Sequence, residues 1–233
     1  MNTRYIKKID ERTPIDIVIP AAGMGKRMKS YGPKALIQIG KNKNIIQKQI
    51  AQIKKVLPVN RIILVAGFEA AKLMNEVPSD VICIENERYE ETNVIRSLGM
   101  GLRATEKDVL VIYGDLVFND KALEALNLNK SCTIVGNDIM DASEIGCSMN
   151  KDEIKHMMYD LDTKWSQITF YRGKELGLLK KHCWSTDNER MFGFEIINKI
   201  LESGGYIKGI EEKGIQVIDV DNSKDITKVK TIK

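Results

Sequence analysis

The spacing of apolar and polar positions changes several times along the chain, and each change predicts an element. Ile15-Asp16-Ile17-Val18-Ile19 is a short, nearly unbroken apolar run behind Pro14, which reads as a core strand. Leu36 to Ile39 reads as a short extended piece ending at Gly40. Ile46, Ile50, Ile53 and Leu57 then recur at helical spacing until Pro58 stops them. Arg61 to Ala66 predicts a second strand, apolar on both faces as parallel strands are. Glu69 to Asn75 predicts a short helix, and Val81 to Ile84 a third strand. Asn93 to Ala104 predicts a helix with Val94, Leu98 and Leu102 on one face. Gly99 and Gly101 each weaken that helix by roughly 1 kcal/mol relative to alanine, a cost that points to close backbone approach or to fraying. Val109 to Tyr113 is a strongly β-prone run closed by Gly114-Asp115.

Beyond residue 119 the regular alternation degrades. Cys132 to Val135, Ile145 to Met149, Ile154 to Tyr159 and Gln167 to Tyr171 read as short strands between polar turns. Helices are expected at about Lys174 to Lys181 and Asn188 to Glu202, with Gly204-Gly205 breaking the second. Ile215 to Val220 is a last strand, and Ser223 is a candidate cap for a final short helix. The expected fold class is α/β. It is a single three-layer domain with a mostly parallel Rossmann-like sheet and a smaller mixed or antiparallel section in the second half. Residues 1–14 read as a lead-in and 15–233 as the domain, with about 119–214 as an acceptor-side section.

Composition removes several function classes. The chain has 233 residues, enough for one sizeable core, and is 43% hydrophobic and 29% charged. Its net charge of +4 is mild and no run of five or six like charges occurs, so no nucleic-acid partner is called for. No apolar stretch reaches the length of a membrane span, and Met1 to Thr13 lacks the apolar middle of a signal peptide. A cytoplasmic protein with reduced thiols is expected, since Cys83, Cys132, Cys147 and Cys183 are widely spaced. With only His156 and His182, histidine-based triads and zinc sites have little material. Oligomeric state is left open, a homodimer included.

The densest chemistry follows the first strand, in Pro20-Ala21-Ala22-Gly23-Met24-Gly25-Lys26-Arg27-Met28, with Pro33-Lys34 just beyond. Gly23 and Gly25 let backbone N–H groups converge on an anion, and Arg27 and Lys34 add the charge a triphosphate requires. The P-loop pattern fails here, because Pro20 stands where its first glycine belongs and Arg27 follows Gly25-Lys26. The dinucleotide fingerprint fails too: Met28 replaces its third glycine, and Lys41-Asn42-Lys43-Asn44 offers no ribose-binding carboxylate. A triphosphate also needs Mg²⁺, held through carboxylates. Asp115 is placed for this at the mouth of a core strand, and Asp219 and Asp221 would share a face at the end of the last strand.

The loop and the following Pro-Lys resemble the signature of nucleotidyltransferases that make sugar nucleotides and related activated alcohols. Two further segments are similar to the branch acting on phosphocholine-like substrates. Asp219-Val220-Asp221-Asn222-Ser223-Lys224-Asp225-Ile226 is similar to its terminal Glu-Ile-Asp-Thr-x-x-Asp-Leu, which gives Asp221 the metal position and makes Asp219 a departure and alternate. Asn86 to Leu98 resembles its Asn-x-x-Tyr…Thr-Asn-Asn-x-x-Ser-Leu segment, with Val94 replacing the second Asn.

The resemblance implies a Mg²⁺-dependent enzyme condensing a nucleoside triphosphate, CTP or UTP favoured, with a small phosphorylated alcohol, phosphonate or sugar phosphate, releasing pyrophosphate. It implies catalytic roles for Arg27, Lys34 and Asp115, and metal binding by Asp115 and Asp221. Nucleotide binding falls to Ala21, Ala22, Gly23, Met24, Gly25, Lys26 and Arg27, with Thr92, Asn93 and Ser97 reading the base edge.

For the acceptor, Trp165 and Trp184 are candidates for an aromatic cage around an amine, set against the plainer reading that aromatics fill the smaller core. A metal-dependent glycosyltransferase is the enzymatic rival, with Asp160-Leu161-Asp162 and Asp219-Val220-Asp221 as its two candidate motifs, and GMP transfer to a molybdenum cofactor is a further family option. A non-catalytic nucleotide-binding module is the third.

Overall fold

A computed structural model of the chain describes residues 13–25, 32–40, 43–136, 140, 144–229 and 232. Its first half delivers strand ends to one edge. Strand β1 (Ile15–Ala21) is followed by β2 (Gln38–Gly40), β3 (Lys43–Asn44), α1 (Ile45–Val56), β4 (Val59–Ala66), α2 (Ala70–Asn75) and β5 (Val81–Glu85). Next come α3 (Val94–Leu102), β6 (Val109–Ile112), β7 (Leu116–Phe118) and α4 (Asp120–Glu124). The second half holds β8 (Cys132–Gly136), β9 (Gly146–Asn150), β10 (Glu153–Met158), β11 (Thr163–Tyr171), α5 (Gly173–Cys183) and α6 (Gly193–Glu202). It closes with β12 (Lys208–Ile210), β13 (Val217–Asp219) and α7 (Ser223–Val229).

The main sheet has the order β5-β4-β1-β6-β11-β8-β12-β10-β9. Strands β5, β4, β1 and β6 are mutually parallel, so the loops after β1, β5 and β6 all leave from the same edge. Strand β11 then inserts antiparallel between β6 and β8, and the sheet as a whole is mixed. A small separate ladder pairs β13 with β7 antiparallel, placing Asp219 opposite Leu116.

Side-chain alternation along β1 explains the three layers. Ile17 and Ile19 join Ile46, Ile50 and Ile53 of α1 in one core, with Leu73 of α2 and Leu123 of α4. Val18 points the other way, into a second core with Ile95, Leu98 and Leu102 of α3, Leu179 of α5 and Ile196 of α6. Asp16 is fully buried in the same strand and fully used. Its Oδ1 accepts from Asn60 at 2.8 Å, and its Oδ2 accepts the backbone N–H groups of Glu106 and Lys107 at 2.6 and 2.8 Å.

The α3 glycines are there for close approach. A Cβ on Gly101 would stand 2.6 Å from Val18 Cγ1, and one on Gly99 2.5 Å from the Cys183 carbonyl oxygen. Helix α3 therefore lies flush on β1 and on the end of α5.

The predicted order of elements is observed through β6. Strands β3, β7 and β12 and helix α4 are additions that the apolar pattern did not predict. Each is five residues or fewer, too short for a period to register. Helix α6 starts at Gly193 rather than Asn188, because Thr186–Asn188 form a separate 3-10 turn. Ser223 is the first residue of α7 itself. The lead-in through residue 12 lies outside the described residues.

Candidate active site

Ala21, Ala22, Gly23 and Gly25, just past β1, line a cavity of ≈ 200 Å³ at the parallel edge of the sheet. Gly25 has φ +54°, the left-handed region that a side chain disfavours, and a Cβ there would stand 2.9 Å from Lys34 Cγ. The loop backbone thus rests against the stem of Lys34, which lines the same cavity. Met24 is half-buried within the loop and does not line the cavity. Lys26 and Arg27 lie outside the described residues.

The opposite wall comes from the turn after β5 and the start of α3. Thr92, Asn93 and Ser97 all line the cavity, as do Asn86 and Tyr89. Their polar groups are partly spent on one another. Buried Asn86 donates from Nδ2 to Thr92 Oγ1 at 3.2 Å and to Ser97 Oγ at 3.1 Å, while the Thr92 hydroxyl donates to the Arg88 carbonyl at 2.7 Å. Asn93 is the N-cap of α3, its Oδ1 accepting from the Val94 N–H at 2.9 Å. The helix-cap reading of Asn93 is therefore realised alongside its place in the cavity wall. Asn86 is the organiser here. Its signal in the sequence was a polar residue directly after an apolar strand.

Glu189, from the turn before α6, anchors this wall from behind. It accepts from Arg96 at 2.8 Å and from Arg88 at 3.2 Å, and its carbonyl takes the Asn93 N–H at 2.8 Å. Nothing in the local sequence singled it out, because its partners lie 93 and 101 residues away.

Asp115, Asp219 and Asp221 converge. Each offers a carboxylate oxygen, and the three lie within 4.8 Å of one another. The β13–β7 pairing brings them together, and the Val220 N–H donates to the Asp115 carbonyl at 3.1 Å. Buried Asp225 holds the following turn, its Oδ2 accepting from the N–H groups of Asp221 and Asn222 at 3.1 Å each. Lys34 Nζ stands among the carboxylates, donating to Asp115 Oδ2 at 3.0 Å and to Asp221 Oδ1.

Burial works against the charge on Lys34, but Asp115, Asp219 and Asp221 outweigh it and hold the ammonium protonated well above its ordinary range. Asp219 shows the reverse balance. Burial, then repulsion from Asp115 and Asp221, push its carboxyl up to about 8, against the pull of Lys34 and a hydrogen bond from Gln167. Its Oδ1 is buried with no hydrogen-bond partner among the described residues, a state that costs about 1–3 kcal/mol unless a ligand answers it. An all-oxygen donor set, a cation already standing in it and an unanswered buried oxygen fit a hard divalent ion.

A second cavity of ≈ 230 Å³ adjoins the first, sharing Asn93, Val94 and Tyr113 with it and lined by Asp219 and Asp221. Its far wall is aromatic: Tyr159 meets Phe194 edge-on at 5.7 Å, and Phe192 stacks on Phe194 at 6.1 Å. Tyr159 and Phe192 are 41% and 49% exposed, so both present ring area to a ligand. Trp165 lines this cavity but is 6% exposed, its indole N–H donating to Thr133 Oγ1 at 2.9 Å and its ring edge-on to Tyr113. Trp184 is not brought here. It lines a different cleft with Arg96 and Arg103, its indole N–H bonded to the Gly99 carbonyl. The two tryptophans do not form one cage; the exposed rings beside the carboxylates are Tyr159 and Phe192.

The four cysteines carry free thiols, and no described helix is long and apolar enough to cross a membrane.

This arrangement, with a glycine turn at a parallel strand end facing clustered carboxylates, marks the class as nucleotidyltransferase. The chain belongs to the family of the MobA-like NTP transferase domain, whose sequence model matches residues 17–135. Among curated proteins it is similar to the bifunctional protein GlmU of Solibacter usitatus, at 36% identity over 104 residues, 44% of this chain and 22% of that protein. It is also similar to the bifunctional protein GlmU of Buchnera aphidicola, at 23% identity over 94% of this chain and 51% of that protein. The chain thus spans about half, or less, of the length of these relatives.

Among solved structures, the CTP:phosphocholine cytidylyltransferase of Streptococcus pneumoniae has a TM-score of 0.73 at 19% identity, covering 94% of this chain and 99% of that one. The inositol-1-phosphate CTP transferase of T. maritima has a TM-score of 0.74 at 19% identity, covering 93% and 96%. At such identities the likeness is one of fold.

Proposed function

We propose that the protein is a Mg²⁺-dependent nucleotidyltransferase that condenses CTP or UTP with a small phosphorylated alcohol, phosphonate or sugar phosphate and releases pyrophosphate. One observation carries this reading: the Lys34–carboxylate cluster lies at the seam of two adjoining cavities, one walled by the glycine loop and one by aromatic rings. A reaction joining two phosphates needs such a seam.

In this reading the triphosphate lies along the backbone from Ala22 to Gly25, and Lys26 and Arg27 keep the nucleotide-binding roles that the sequence resemblance implies. The base faces the Asn86–Thr92–Asn93–Ser97 wall, whose uncharged donors and acceptors suit a pyrimidine edge. Asp115 and Asp221 would hold Mg²⁺, with Asp219 as a third oxygen donor. The ion would supply charge neutralisation on the phosphate oxygens and the leaving pyrophosphate.

Lys34, a cation already fixed inside the site, offsets the negative charge that builds at the α-phosphate as the acceptor oxygen attacks. No covalent enzyme intermediate is required, and positioning by preformed walls carries the rest. The acceptor occupies the second cavity, its phosphate toward the carboxylates and its alcohol portion against Tyr159 and Phe192. Ring faces of this kind favour an amine-bearing head group. Two solved neighbours, a phosphocholine cytidylyltransferase and an inositol-1-phosphate CTP transferase, support a cytidylyl donor and a phospho-alcohol acceptor. Of the glycosyltransferase rival's two motifs, Asp160-Leu161-Asp162 falls in the turn between β10 and β11 with Asp160 and Asp162 exposed, while Asp219-Val220-Asp221 lies in the cluster and serves both readings, so the glycine loop with its Pro-Lys is what favours nucleotidyl transfer. We place the protein in the cytoplasm, with neither nucleic acid nor membrane as partner.

The test is pyrophosphate release with each of four nucleoside triphosphates, Mg²⁺ and a panel of phosphocholine, phosphoethanolamine, inositol-1-phosphate and glucose-1-phosphate. Release that needs both a pyrimidine triphosphate and one acceptor, and stops with chelator, is the expected result. Hydrolysis or transfer from a UDP-sugar without pyrophosphate chemistry would instead support the glycosyltransferase.

A further inference from the structure

Strand β11 is broken at one point, and the break faces the carboxylates. Between Trp165 and Thr169 the strand advances four residues while its partner β8 advances only two, from Val135 to Thr133. Gln167 sits inside this bulge with φ +59°, a left-handed conformation that few residues other than glycine adopt. In an unbroken strand Gln167 would share a face with Trp165 and Thr169, whose indole N–H and hydroxyl lie 3.3 Å apart. The reversed backbone carries it out of that face instead. Its Nε2 donates to Asp219 Oδ2 at 2.9 Å, across 52 residues of sequence. Bulges beside active sites commonly re-aim one side chain in this way.

We infer that Gln167 is a positioning residue for the cation site: its amide pins one oxygen of Asp219 so that the other, Oδ1, is left facing the cluster of Asp115 and Asp221. The inference rests on the reading of that cluster as the metal site. An amide suits the task because it fixes a carboxylate by a neutral donor. A lysine or arginine at 167 would cancel the charge that a divalent ion needs, and Lys34 already supplies a cation to the cluster. The unpartnered Asp219 Oδ1 is the mark of this division: one oxygen is anchored, and one is kept for a ligand. Strained backbone at a functional position is retained where its geometry is used. Gln167 also lines the acceptor cavity, so the same amide lies on the boundary between metal and acceptor.

The experiment is direct binding of Mn²⁺ alone to the full chain, followed by the electron paramagnetic resonance of the free ion, in wild type, Gln167→Ala, Gln167→Gly and Asp221→Asn. Steady-state KM for the nucleoside triphosphate is measured in parallel at saturating Mg²⁺. We expect both Gln167 variants to weaken Mn²⁺ binding about tenfold while KM for the nucleotide stays within twofold, and Asp221→Asn to weaken Mn²⁺ binding further. Glycine relieves the backbone at 167, so its folded state is the control for any loss of structure in the alanine variant. Loss of affinity in Gln167→Ala but not in Gln167→Gly would assign the effect to strain and overturn the role of the amide. Wild-type affinity in both Gln167 variants, with a loss in Asp221→Asn, would overturn the inference and leave the metal site standing. Wild-type affinity in all three would remove the metal site and the inference with it.

Discussion

Lys34 Nζ lies 3.0 Å from Asp115 Oδ2, so a lysine just beyond the glycine loop closes on a carboxylate 81 residues later in the chain. The same ammonium reaches Asp221, 187 residues away. This contact ties the phosphate-facing loop to the acidic cluster before any ligand arrives.

Replacing either partner tests that tie. Lys34→Ala and Asp115→Ala are each expected to lower turnover at least a hundredfold, about 3 kcal/mol at the barrier, as the loss of one preorganised stabilising group does. The assay is pyrophosphate release at saturating substrates, and near-normal turnover in either variant would refute that residue's role. Lys34→Met should also lower the melting temperature of the apo protein, because three mutually repelling carboxylates are left without their cation. Added Mg²⁺ should recover much of the loss, since a ligand that binds only the folded state stabilises it by mass action.

A pH dependence follows from Asp219. Its carboxyl is pushed up to about 8 in the folded protein, from an ordinary aspartate value of 3.8. Between those values the folded chain holds a proton that the unfolded chain has lost, so stability contributed at this position falls as pH rises through that window. Asp219→Asn removes the ionisation. Its melting temperature should gain on wild type steadily from pH 5 to pH 8, measured in chelator. A constant offset between the two proteins across that range would rule out the assignment.

The two tryptophans separate the acceptor wall from the rest of the aromatic set. Trp184→Leu should leave acceptor KM unchanged, because Trp184 lines a different cleft. Tyr159→Leu or Phe192→Leu should raise acceptor KM roughly fivefold to twentyfold with little change in kcat, the sign of lost ground-state binding. An unchanged KM in both would move the acceptor out of this cavity.

Close packing of α3 gives a prediction about stability alone. Gly101→Ala places a methyl 2.6 Å from Val18 Cγ1 and should cost about 1–3 kcal/mol, read from the midpoint of urea unfolding. Gly177→Ala, with nothing within 4 Å of the added carbon, is the matched control and should be neutral or stabilising.

The strands and helices of the first half were legible because each apolar run is long enough to show a period and ends at a recognisable stop, such as Pro58 after α1. The glycine loop and Lys34 were legible because their residue types and spacing within one short stretch have few other uses, and Asp115 because it closes a strongly apolar strand. The convergence of Asp115 with Asp219 and Asp221 was an expectation of chemistry rather than of pattern, and the geometry that meets it depends on β7. That strand is three residues long and went unseen.

Gln167 and Glu189 were missed for another reason. Their importance lies in partners distant in sequence or in a φ value, and neither leaves a trace in local composition. The pairing of Trp165 with Trp184 failed because two residues of one type in one half of the chain need not share a face. Trp165 is a strand residue turned into the core, and Trp184 caps the end of α5.

The ladder of β13 on β7 has a consequence for when the enzyme can first work. The glycine loop, the Asn86–Ser97 wall and Asp115 all lie within the first half of the chain, although Glu189 of the second half anchors that wall. Asp219 and Asp221 follow only after the stretch from 119 to 214 has been made. A single cut in the stretch leading into β13 would break the covalent link between Asp115 and the other two members of the cluster, leaving their meeting to the short ladder of β13 on β7.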